Sequence, residues 1–189
     1  MLRTTIRTIK RLIPATALLM LFHLSAHSQL YTTRTGFIGF YSKTPLEDIR
    51  AENNQVFAVI DAGKKNIAFS LLLKGFIFTK ELMQEHFNEN YVESDKYPKA
   101  TFNGSFSGDV PLNKDGVYKV MIKGTLSLHN ATHPVEMPAT LEVKGGKIIG
   151  QAEFKAKPED YNISIPSIVR DKIAQEMRVN VKIECSTNK

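Results

Sequence analysis

From Phe102 onward the chain alternates between apolar and polar residues, and that period of two decides what it can become. In "VYKVMIKGTLSLH" one face carries Val120, Ile122, Gly124, Leu126 and Leu128, and the other Lys119, Met121, Lys123, Thr125 and Ser127. "PVEMPATLEV" sets Val135, Met137, Ala139, Leu141 and Val143 against Glu136, Pro138, Thr140 and Glu142. The same parity runs through Phe102, Gly104 and Phe106, through Ile148, Gly150, Ala152 and Phe154, and through Val179, Val181, Ile183 and Cys185. Strands patterned this way bury one face and wet the other, the habit of antiparallel sheets. Asn113-Lys114-Asp115-Gly116 and Lys144-Gly145-Gly146-Lys147 are hairpin connections, rich in the residues such turns need. Strands near Gly36–Ser42, Val56–Ile60 and Ile67–Leu73 raise the total to eight.

Helix is expected only in small pieces. Thr44-Pro45-Leu46-Glu47 has the order of a capping box with proline at the first helical position. Thr79 to Tyr91 carries Leu82, Met83, His86, Phe87 and Tyr91 at helical spacing, and a last turn is expected around Ser167–Ile173. No sheet-sized set of helices exists to cover the apolar face, so the sheet closes on itself or stacks as a sandwich. We read an all-β fold: a closed, eight-stranded antiparallel β-barrel with one or two short inserted helices. If the strands meander in order, the turns bearing Lys64, Lys65, Lys114, Lys144 and Lys147 share one end. The helical insertions then share the other with His129 and His133.

The first 28 residues read as a secretory signal peptide, not as part of the barrel. Arg3, Arg7, Lys10 and Arg11 precede the apolar run Leu12–Leu24, and Ala26-His27-Ser28 precedes a cut expected before Gln29. A span needs roughly 20 residues, so no stable membrane insertion is expected after cleavage. The residue directly after the expected cut is Gln29 and not a cysteine that could carry a lipid anchor. The product is expected in the periplasm or outside the cell, as one domain over residues 29–189. Removing 28 of the 189 residues leaves 161, enough for a sizeable core. Of the 25 Lys and Arg, four lie in the leader, leaving 21 against 19 Asp and Glu. A nucleic-acid partner therefore loses its main support. The single cysteine, Cys185, shares parity with Ile183 and is expected to point inward.

"KYPKATFNGSFSG" (Lys96–Gly108) followed by "IKGTLSLHNATHPVEMPATL" (Ile122–Leu141) resembles the YceI-like family of secreted lipid-binding proteins. Tyr97, Pro98, Phe102, Gly124, Leu126, Leu128, His129, Pro134 and Val135 fall on that family's pattern, and "EMRVNVKIEC" fits its closing strand. The resemblance implies a lipocalin-like barrel whose interior holds a long polyisoprenoid chain. The insertion after the first strand and the long helix Thr79–Tyr91 depart from better-known members and bear on the shape of the mouth.

Inward parity assigns Phe102, Phe106, Ile122, Leu126, Leu128, Met137, Leu141 and Phe154 to the interior, and none is charged. A cavity so lined suits a long hydrocarbon, with any polar head at the mouth. Access is expected beside Leu82, Met83 and Phe87, because a long connection makes a better gate than a tight turn. Gly104, Gly124 and Gly150 share the inward parity. They either relieve strand curvature or leave room for a ligand, and an eight-stranded barrel is the size at which both occur. In the second case Gly124→Leu or Gly150→Phe would exclude the ligand; in the first it would destabilise the fold.

The function expected is a binding or carrier protein for an apolar lipid, without cofactor and without catalysis. The alternatives are a ligand-free structural or stress-response barrel, and last a zinc hydrolase centred on His129 and His133. Catalytic zinc takes three protein ligands, so two histidines fall short and no metal is expected. The stretch around them reads as a hairpin. The oligomeric state is not set by the sequence.

Overall fold

A computed structural model describes residues 29–187 of the chain. The expected leader, residues 1–28, and the last two residues lie outside the described residues.

Among the described residues nine strands follow in order: β1 (Leu30–Lys43), β2 (Asp48–Asp61), β3 (Asn66–Leu72), β4 (Ile77–Phe78), β5 (Lys99–Ser107), β6 (Gly116–Leu128), β7 (Ala131–Lys144), β8 (Lys147–Ala156) and β9 (Met177–Thr187). Every pairing is antiparallel. β9 returns to β1, with Tyr31 opposite Thr187, so eight strands close into a barrel. The two-residue β4 pairs only with β2, laying Phe78 against Ala51. The meander puts the β2–β3, β5–β6 and β7–β8 connections at one end. Lys65 Nζ donates to the Gly108 carbonyl at 2.8 Å, and the Gly145 amide donates to the Asp115 carboxylate at 3.3 Å, tying the three connections together. The lysine-bearing turns therefore share one end and the longer connections the other.

Two tight hairpins are made with different residues. Gly145 (φ 56°) and Gly146 (φ 76°) supply the two left-handed positions that a two-residue type I′ turn requires. The β6–β7 hairpin places His129 (φ 47°) and Asn130 (φ 59°) in the same two positions. The break in alternation at "HNATHP" is thus a two-residue turn, with Ala131 and Thr132 already in β7.

The first half differs from its expected outline. Thr44–Glu47 is not a helical turn but the loop of the β1–β2 hairpin. Thr44 Oγ1 accepts from the amides of Leu46 (3.2 Å) and Glu47 (3.0 Å), as a helix cap would, while the Thr44 amide donates to the Glu47 carbonyl at 3.0 Å. A capping threonine and a threonine-closed turn begin with the same bonds; the pairing of Lys43 with Asp48 decides for the turn.

β1 and β2 are each 14 residues long, because "ENNQ" is a bulge and not a loop. Asn53 is buried there, its Oδ1 accepting from the Gln55 amide (2.8 Å) and its Nδ2 donating to the Leu72 carbonyl (2.9 Å). Asn53→Ala strips both backbone groups of their partners and is expected to lower stability by about 1–3 kcal/mol, read from the denaturant midpoint.

The inserted helix exists in shortened form as α1 (Glu81–His86), continued by a wider, π-type turn through Phe87–Tyr91. The β8–β9 connection carries 3-10 turns at Pro158–Tyr161 and Ser167–Lys172, the second where a last turn was expected. Among the described residues no helix is long and apolar enough to cross a membrane.

The barrel interior has two halves. Toward the lysine end, Ile60, Ile67, Phe106, Leu141, Ile148 and Cys185 pack into a dense core. Cys185 is fully buried, and burial pushes its thiol pKa up to about 12, so it behaves as a small apolar residue. Toward the other end Leu71, Leu73, Phe76, Val92, Tyr161 and Ile163 form a second cluster, and this one is not solid.

Candidate functional site

The second half of the interior holds a cavity of about 320 Å³ that opens at the helix-bearing end. Ligand cavities fall between about 300 and 1,000 Å³, so this one lies at the lower end of that range. The inner faces of β5 and β8 contribute methyl groups at Ala100, Ala152 and Ala156 beside the rings of Phe102 and Phe154, and the walls are completed by side chains of β1, β2, β3, β6, β7 and β9. Of the eight residues assigned to the interior by parity, Phe102, Ile122, Leu126, Leu128, Met137 and Phe154 line the cavity. Phe106 and Leu141 do not, because they lie deeper, in the packed half.

The inward glycines belong to the packing. A Cβ at Gly124 would stand 2.6 Å from the Phe102 ring and 2.7 Å from Gly104 Cα. One at Gly150 would stand 2.8 Å from the Ile183 side chain. Phe102 thus covers the Gly104–Gly124 pair while its exposed surface forms part of the cavity wall. Substitution at these glycines reports on packing; it is not a test of binding.

At the mouth, Phe40, Phe76, Phe78 and Phe87 form an aromatic cluster with centroids 5.1–5.7 Å apart. Met83 and Phe87 line the cavity beside it; Leu82 points to solvent, 60% exposed. Residues three and four apart share a helical face. Met83 shares a face with His86 and Phe87, three and four positions on, and all three line the cavity, whereas Leu82 does not. The lining also takes in Ile38, Phe40, Ile49 and Val56 of β1 and β2, and Ile163, Ile165, Val169 and Ile173 of the β8–β9 connection. Sequence parity missed these. "GFIGF" is apolar on both faces, although the alternation of Ile163 and Ile165 was a usable signal.

The charged and titratable groups on the lining are few and stand at the rim. Glu47 is ion-paired with Lys80 at 2.8 Å, and His86, Lys157 and Lys172 complete the set of charged and imidazole side chains. Burial raises the Tyr91 phenol, and burial with the nearby charge of Asp160 pushes that of Tyr161 up to about 12, so both are neutral in the physiological range.

His129 and His133 do not converge. His133 lies opposite Leu126 in the β6–β7 ladder and packs on the Tyr161 ring at 5.5 Å. Both ring nitrogens of His129 are engaged elsewhere, and Glu136 is on the wet face, paired with Lys123 at 3.0 Å. Among the described residues no group of three or more His, Cys, Asp or Glu is placed to hold a metal ion. What such an interior can do is exclude water from a hydrocarbon.

A closed eight-stranded meander with an apolar cavity at one end defines a lipocalin-like barrel. The chain belongs to the YceI-like family, whose domain model matches residues 25–185. It is similar in structure to a polyisoprenoid-binding domain from Saccharophagus degradans implicated in plant cell wall breakdown. That match has a TM-score of 0.72 at 14% identity and covers 85% of this chain and 99% of that one. BcnA from Burkholderia cenocepacia matches with a TM-score of 0.67 at 15% identity, covering 80% of this chain and 96% of that one. The YCEI protein of Campylobacter jejuni matches with a TM-score of 0.57 at 17% identity, over 74% and 84% of the two chains. At such identities the likeness is one of fold. No curated protein matches the sequence.

Proposed function

We propose that this protein binds and carries a long-chain, polyisoprenoid-like lipid inside its barrel, after export to the periplasm or beyond. The observation that carries the proposal is the hollow half of the interior, apolar throughout its depth and polar only at its rim. Each methylene that leaves water for such a lining contributes about 0.8 kcal/mol, so chain burial alone supplies the affinity. The polar head sits among Glu47, His86, Lys157 and Lys172, where water reaches it. Nothing in this mode of action calls for covalent chemistry, so the protein acts as a carrier and not as an enzyme. A filled, ligand-free structural barrel would account for the packed half but leaves the hollow half without a role. Export is supported by the basic and then apolar order of the first 28 residues.

Titration with the apolar fluorophore N-phenyl-1-naphthylamine tests the proposal. Saturable binding at one probe per barrel, displaced by a long polyprenol, is the expected result; binding that never saturates, or that polyprenol leaves unchanged, would contradict it. Met83 and Phe87 then have separable roles. Met83→Ala is expected to speed probe release severalfold with little change in the denaturant midpoint. Phe87→Ala, which removes the hub of the aromatic cluster, is expected to cost stability as well.

A further inference from the structure

Three residues in the left-handed region of backbone space meet beside the cavity: Glu93 (φ 43°), His129 (φ 47°) and Asn162 (φ 57°). Between these segments lies the His129 ring, whose side chain is only 10% exposed. Its Nδ1 lies 3.0 Å from the Tyr161 carbonyl oxygen and its Nε2 lies 3.0 Å from Glu93 Oε2. A carbonyl and a carboxylate only accept, so both bonds form together only if both ring nitrogens donate, which requires the protonated imidazole.

The two acceptors belong to the two segments that border the cavity mouth. Glu93 follows Tyr91 and Val92 at the end of the helical insertion, and Tyr161 belongs to the β8–β9 connection; Tyr91, Val92 and Tyr161 all line the cavity. We infer that protonated His129 is a latch that holds these two segments together over the mouth, and that loss of its proton releases the helical insertion. The neutral ring keeps one N–H. The Tyr161 carbonyl retains it, because Glu93, whose side chain is 43% exposed, can turn to water or to Lys96 while the carbonyl cannot move.

The titratable groups around the ring agree with this assignment. On the helical side stand Glu93, Lys96 (3.8 Å from Glu93 Oε1) and Tyr97, whose ring meets the imidazole edge-on at 4.7 Å. The Tyr97 phenol, and then Glu93, hold Lys96 in its charged form. On the β8–β9 side stand Asp160 and the neutral Tyr161 phenol, and on the hairpin itself His133, which packs on the Tyr161 ring. The latch is therefore complete when the ring carries both protons and Glu93 is ionised, and incomplete once the ring keeps only one.

The link to lipid traffic rests on the carrier function proposed above; the latch itself does not. Quenched-flow hydrogen exchange on the ligand-free protein tests the latch at pH 5.5 and 8.5, on either side of the range in which imidazole changes charge. The reporters are the amides of Val92 and Ser94, which donate to the carbonyls of Phe87 (2.9 Å) and Asn88 (2.8 Å) and close the helical insertion. After correction for chemical exchange, their protection is expected to fall about tenfold at the higher pH, the scale of one charge-assisted hydrogen bond. His129→Asn keeps a left-handed turn residue and removes the latch, so protection is expected to be low at both pH values. Glu93→Gln offers an amide that accepts from the charged ring and donates to the neutral one, so protection is expected to be high at both. Native protection that does not change with pH, or a pH step that survives in Glu93→Gln, would overturn the latch. Release of N-phenyl-1-naphthylamine is expected to follow the same pattern across the three proteins. The exchange pattern without it would overturn the gating role alone, and a probe that never binds would overturn the carrier function while exchange still decides the latch.

Discussion

Gly124→Ala is expected to lower the stability of the barrel by about 3 kcal/mol or more, at the upper end of what overpacking costs. The added methyl would stand 2.6 Å from the Phe102 ring and 2.7 Å from Gly104 Cα on the paired strand, and backbone cannot give way as a side-chain tip can. β5 and β6 approach each other at the Gly104–Gly124 pair because neither residue carries a Cβ. The measurement is a denaturant melt of native and variant protein. A midpoint unchanged within error would mean that the two strands have slack there, and that the space under Phe102 is part of the ligand volume after all.

Ala152→Phe should do the reverse, leaving the fold intact and abolishing lipid binding. Ala152 lies on the cavity wall, between Ala139 of β7 and Val181 of β9 in the ladder. A phenyl ring there occupies the room of several methylenes, each contributing about 0.8 kcal/mol to a bound chain. Losing three or four of those contacts weakens binding by about a hundredfold or more. The expected result is a variant with a native denaturant midpoint that no longer takes up N-phenyl-1-naphthylamine. A destabilised Ala152→Phe that still binds the probe would put the ligand elsewhere.

Much of the barrel was legible because its second half obeys a single rule. Within each of the strands β5 to β9 one parity faces inward without interruption, so strand identity, burial and the meander followed from the pattern alone. The first half obeys the same rule with interruptions. Register shifts in β1 around Gly36 and a bulge in β2 at Asn53 change the parity within each strand, so 14-residue strands read as short ones. Thr44 shows a second limit, since one side chain makes the same first bonds in a helix cap and in a strand turn.

The cavity was harder to locate than the barrel. Parity tells inside from outside but carries no information about depth, so Phe106 and Leu141 were grouped with Phe102 and Met137 although they belong to the packed half. Depth depends on which neighbours fill the space left by Gly104, Gly124 and Gly150, and those neighbours, Phe102 and Ile183, come from pairings across strands. Leu82 illustrates the same limit on a helix. Its apolar character matches that of Met83, but only the inward stagger of Met83, His86 and Phe87 decides which side chain reaches the cavity. The role of His129 could not be read at all, because Glu93 and Tyr161 lie 36 and 32 residues away along the chain.

The central claim is that the hollow half holds an apolar chain, and mass spectrometry of an organic extract tests it most directly. Native protein and Ala152→Phe would be purified side by side from the same export-competent host without added lipid. A long-chain isoprenoid-like species recovered in near-stoichiometric amount from the native barrel, and missing from Ala152→Phe, is the predicted result. Extracts of the two proteins that are alike, whether both empty or both carrying the same lipid, would contradict it.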